Sequence, residues 1–185
     1  MSTDVKTAEF ADTAAPPLDE LLSAHAKIEL LVGEIYVTFA ATFGQNPELR
    51  ALWSAMALEE GGHAALLRAV HKGLLSGVFQ AQAFLLPSEI SEVLATRVAE
   101  YHRQAQEGTS LDQALQMTWE LECSELDFLR ELLVSSSNVG ELGFPTNLES
   151  KDTHVSRLRE VIQKYTTDEN LRREVKFLST EQSPR

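Results

Sequence analysis

Cysteine occurs once, at Cys123, so no disulfide can close within the chain and no four-cysteine iron or zinc module can be built from it. Any metal must be held mainly by oxygen and nitrogen. Aromatic residues make up only 7% of the sequence and runs of β-branched residues are scarce, whereas Leu, Ala and Glu abound, a balance that favours helices over sheets. Apolar runs such as Ala64 to Leu67 and Ala83 to Leu86 fall far short of the roughly 20 residues that span a bilayer. Residues 1–17 lack the basic segment and apolar core of a secretory signal, so a cytoplasmic protein without membrane contact is expected. Basic residues are few and unclustered: 16 Lys and Arg stand against 28 Asp and Glu, giving a net charge of -12, and a phosphate backbone would be repelled. Nucleic acid is not an expected partner.

The 185 residues suit one domain. A polar leader, 1–17, ends at Pro16 and Pro17, and apolar residues then recur at helical spacing from Leu18 to Phe43. Asn46 followed by Pro47 predicts an N-cap and first helical position for a second helix, which runs to about Ser76 before Gly77. A shorter helix from Ser88 to about Gln106 lies in the connection that follows, long enough for a crossover. Ser110 with Gln113, and Thr146 with Glu149, read as capping boxes opening helices that end near Val134 and Tyr165. A short helix, Asp168 to Leu178, is expected to pack outside, within a tail spanning 166–185. The expected fold is all-α: an antiparallel four-helix bundle over 18–165, with a long crossover between its second and third helices.

The segment Glu59-Glu60-Gly61-Gly62-His63 carries the clearest chemical pattern, because Glu60 and His63 at i and i+3 project from one helix face. Counting outward from the turn at 44–47, Glu29 lies about as far before it as Glu60 lies after it, so antiparallel helices put the two nearly level. Glu34 points about 140° away from Glu29, whereas Tyr36 shares its stripe. Glu29, Glu60 and His63 thus form an inward-facing donor set. The paired glycines each cost about 1 kcal/mol relative to alanine inside a helix, and close helix approach or ligand access beside the site is the expected reason. His25 and His71 are expected to support the ligands or lie on the surface. Tyr36, Trp53 and Trp119 are expected in the core, and Cys123 as a buried, inert thiol.

With Glu29 to Tyr36 and Phe39-Ala40 in the first helix, and Glu60-Gly-Gly-His63 in the second, the chain resembles the rubrerythrin branch of the ferritin-like superfamily over Leu18 to Tyr165. The resemblance implies two metal ions, usually iron, held by a Glu from each of two helices and a Glu-x-x-His from each of the others. It makes Glu122 the counterpart of Glu29, with Phe128 and Leu129 in place of the family's aromatic pair, and His154 the counterpart of His63. It also implies a peroxide- or dioxygen-reducing activity, an external electron donor, and pairing of helix faces in a homodimer.

Lys151 departs from this pattern, because it stands where the family has its second bridging carboxylate. An ammonium there opposes a second cation. Three arrangements follow: a single iron or manganese ion on Glu29, Glu60 and His63, with or without Glu122; a remodelled pair using Asp152 or Glu149; or no metal, with Lys151 neutralising the carboxylates. Glu149 is already accounted for as the partner of Thr146, and Asp152 projects about 100° from Lys151. Structural readings stand beside these. Glu60 and His63 also suit an exposed helix pair, Glu122 a solvated residue among Glu120, Glu125 and Asp127, and His154 a histidine bonded to a carboxylate. Two functions follow: a metal-binding oxidoreductase, or a non-catalytic helical scaffold with a vestigial site.

Overall fold

The computed structural model describes residues 17–78, 88–135 and 149–181, with side chains in the latter two segments described for 92–124 and 155–176. The described residues form six helices and no strand: α1 (Leu18–Thr42), α2 (Pro47–Leu75), α3 (Ser88–Glu107), α4 (Leu111–Ser135), α5 (Glu149–Tyr165) and α6 (Glu169–Glu181). None of them is long and apolar enough to cross a membrane. The all-helical class expected from composition is therefore observed. The loop read between α4 and α5, including Thr146, lies outside the described residues.

Local chemistry accounts for the helix ends. The Asn46 carboxamide oxygen accepts from the amides of Glu48 at 3.0 Å and Leu49 at 3.4 Å, with Pro47 in the first turn. These amides have no intrahelical partner, so the cap supplies one. At the far end of α2, Gly77 takes a left-handed φ of 72° and closes the helix, a conformation that costs a glycine little. The capping box before α4 forms as read: the Ser110 amide donates to the Gln113 side-chain oxygen at 3.0 Å, and the Gln113 amide donates to the Ser110 hydroxyl at 3.3 Å. Asp168 caps α6 by accepting from the Asn170 and Leu171 amides at 2.7 and 3.3 Å.

α1 and α2 form an antiparallel hairpin with the most extensive helix–helix packing among the described residues, and α3 lies against α1. Near the hairpin turn the rings of Phe39 and Phe43 sit 5.3 and 5.4 Å from that of Trp53 in tilted arrangements. Tilted pairs of this kind add about 0.5–1.5 kcal/mol to the burial of each ring. The Trp53 indole N–H donates to the Thr118 hydroxyl at 3.0 Å, which removes the cost of burying it and ties α2 to α4. Tyr36, Trp53 and Trp119 are all in the core as expected. The C-terminal helix is more than an outside addition: Leu171 and Val175 belong to the main apolar cluster. Asp112, at the start of α4, holds the α5–α6 corner by accepting from the Thr166 hydroxyl at 2.7 Å, the Thr167 amide at 2.8 Å and the Thr167 hydroxyl. A smaller cluster of Leu21, Leu22, Ala26, Leu67 and Val70 fills the other end of the hairpin.

Candidate metal centre

Between the two apolar clusters, the hairpin buries two carboxylates. Glu29 and Glu60 are each 2% exposed, while His63 is partly open to solvent. His63 Nδ1 stands 3.0 Å from Glu60 Oε2 and 3.5 Å from Glu29 Oε2. One donor atom from each of the three residues lies within 4.8 Å of the others. Donors at about 2.0–2.2 Å from a first-row divalent ion stand at most roughly 4.4 Å apart, so this set closes on such an ion with small side-chain movement. Two carboxylates and one imidazole suit iron, manganese or zinc, and three protein donors leave coordination positions open. The donor set therefore fits one metal ion. Among the described residues, no other group of three or more His, Cys, Asp or Glu side chains has this closeness.

The helices put the three donors together for the reason read from the turn. Antiparallel packing about Gly44 to Asn46 brings α1 and α2 level at these positions, and the i, i+3 spacing aims His63 back over Glu60. Two buried carboxylates at this range repel each other unless a cation or proton intervenes, and either a metal ion or a protonated His63 answers that need.

Of the remaining expected ligands, the side chain of Glu122 is among those described and that of His154 is not. Glu122 on α4 is half-buried, accepts a 2.9 Å hydrogen bond from the Tyr36 hydroxyl, and is not in the group of three. Residues 151 and 154 fall within α5, but the side chains of Lys151, Asp152 and His154 lie outside the described residues.

Several features escaped sequence reasoning. Tyr36 is a core residue and also the donor that holds Glu122. Glu59 is half-buried, and its carboxyl is pushed up to about 7 by burial first and the charge of Glu122 second, with His63 and Arg157 opposing. His25 is buried, and burial lowers its imidazole to about 4 against the pull of Glu29. Cys123 is exposed, which corrects the expectation of a buried thiol. Its sulfur is nonetheless crowded by the chain, and this, with Glu174 and Glu122 nearby, pushes the thiol up to about 11. The close helix approach expected at Gly61 and Gly62 is absent among the described residues: a Cβ at either would meet nothing within 4 Å. It occurs across the hairpin, at Gly33.

No protein-family model, curated protein or solved structure gives a match to this chain.

Proposed function

We propose that this protein binds a divalent metal ion, iron first, at Glu29, Glu60 and His63 of a ferritin-like four-helix bundle of rubrerythrin type, and reduces peroxide or dioxygen there. The observation that carries the reading is the meeting of two buried carboxylates and an imidazole within 4.8 Å on one helical hairpin. In this reading α1, α2, α4 and α5 are the bundle helices, and α3 lies in the crossover. Three interhelical hydrogen bonds support it: Tyr36 to Glu122, Trp53 to Thr118, and Tyr165 to Glu48.

Iron held there would supply one-electron redox chemistry, with an external reductant as the source of the electrons. The chain's own residues supply the rest. Glu29 and Glu60 offset the ion's charge from a dry interior, and His63, the most exposed of the three, lies on the side open to small molecules. An external reductant and a homodimer in the cytoplasm complete the proposal.

A second reading is a helical scaffold without metal. The 3.0 Å separation of His63 Nδ1 from Glu60 favours it, since a protonated imidazole satisfies the same two carboxylates. Elemental analysis of protein expressed with added iron, beside a Glu60→Ala, His63→Ala double variant, separates the readings. About one equivalent lost in the variant supports the metal site. None in either protein leaves the scaffold.

A further inference from the structure

α1 contains one glycine, Gly33, a turn past Glu29. The described glycines with positive φ are Gly77 and Gly108, so unusual backbone does not account for Gly33. Its surroundings do. A Cβ built there would stand 3.4 Å from Glu60 Cβ and 3.5 Å from the Ala57 carbonyl oxygen. At this point the α1 backbone lies against α2, and what it touches is the root of the Glu60 side chain. Helix axes pack about 8–10 Å apart according to the side chains at the contact, and a glycine selects the short end.

We propose that Gly33 is the positioning residue of the site: a residue with no atom beyond Cβ at this position keeps α1 close enough to α2 for Glu29, Glu60 and His63 to share one small cation. The proposal rests on the metal reading above. Glu29 is one turn from Gly33 on the same helix, so the gap at Gly33 governs how far the Glu29 carboxylate stands from that of Glu60. An alanine methyl reaches only ordinary contact with Glu60 Cβ. A γ atom extends beyond that Cβ, and the Cβ's nearest neighbours, Glu60 Cβ and the Ala57 carbonyl, are fixed to the α2 backbone rather than at a flexible side-chain tip. Larger residues at 33 therefore separate the helices at the donors.

The test compares wild type with Gly33→Ala, Gly33→Val and a control, Ala114→Val, which enlarges a buried residue of α4, outside the hairpin, in the main apolar cluster. Each is titrated with Co²⁺ alone and followed by its visible ligand-field absorption, with Tm measured on the metal-free protein. The same set, in a Cys123→Ser background, carries nitroxides at the exposed positions Val37 and Leu58 for pulsed-EPR distances without metal. Gly33→Ala should bind as wild type does. Gly33→Val should lose about 10–100-fold in Co²⁺ affinity, the range seen when a ligand's support is removed, and should lengthen the metal-free distance. Ala114→Val should lower Tm without changing affinity or distance. Wild-type affinity, or an unchanged distance, in Gly33→Val overturns the proposal. If that variant does not fold, Gly33→Ser, with a single γ atom, carries the same two readouts. No Co²⁺ bound by wild type, with a lengthened Gly33→Val distance, overturns the metal reading and leaves Gly33 spacing a carboxylate pair.

Discussion

The hydroxyl of Tyr36 on α1 donates a 2.9 Å hydrogen bond to the carboxylate of Glu122, 86 positions along on α4. Tyr36 is fully buried, so the bond also satisfies the one polar atom of an otherwise apolar ring. Tyr36→Phe keeps the ring and removes the donor. Stability should fall by about 1–2 kcal/mol in urea unfolding, with metal content unchanged because Glu122 is outside the three-donor group. A loss of bound metal would make Glu122 a ligand.

Metal should act on the fold as well as on chemistry. An ion that binds only the folded chain at 100 times its Kd adds about 2.7 kcal/mol. Fe²⁺ or Mn²⁺ should therefore raise Tm in the wild type, chelator should reverse it, and Glu60→Gln should abolish it. Calorimetry under anaerobic conditions reads all three.

Gly61 and Gly62 lie inside α2 with open space where each Cβ would be. Gly61→Ala and Gly62→Ala should each stabilise the metal-free protein by about 1 kcal/mol, since alanine is the better helix former and nothing is displaced. Denaturant midpoints check this. A destabilising result would mean that another surface covers that face.

His25 sets a pH dependence. Its folded imidazole is held at about 4 by burial, whereas the unfolded side chain titrates near 6.5. Above pH 6.5 both states are neutral. Between 6.5 and 4 the unfolded chain takes up a proton that the folded chain refuses, so the stability present above 6.5 is lost as pH falls, by at most about 1.4 kcal/mol per unit. His25→Leu should lose less stability than wild type between pH 7 and pH 5 in the presence of chelator. Equal losses would show that His25 is not held neutral.

Helix ends were legible because their causes are local. Asn46 before Pro47, Ser110 three residues before Gln113 and Gly77 after α2 each act within a single turn. The donors Glu29, Glu60 and His63 were legible because one short turn fixes the level of α1 on α2, and level is a matter of counting. Rotation between helices is not. Whether Cys123 faces solvent, whether Glu59 nears Glu122, and whether α1 touches α2 at Gly33 or at Gly61 depend on azimuths set by the whole set of packing contacts. Glycine content flagged the wrong helix for the same reason. Two adjacent glycines drew attention to the exposed side of α2, while the single glycine of α1 sat in the interface.

All three donors of the candidate centre lie on one hairpin of sequential helices. Bringing them together requires closing a single short turn, whereas the Tyr36–Glu122 and Trp53–Thr118 bonds wait on segments 86 and 65 positions away. Loop closure grows costlier with separation, and contacts local in sequence form sooner. During synthesis the carboxylates and imidazole can therefore meet before α4 and α5 exist, so the geometry of the candidate site is set by the hairpin, ahead of the helices that complete the core.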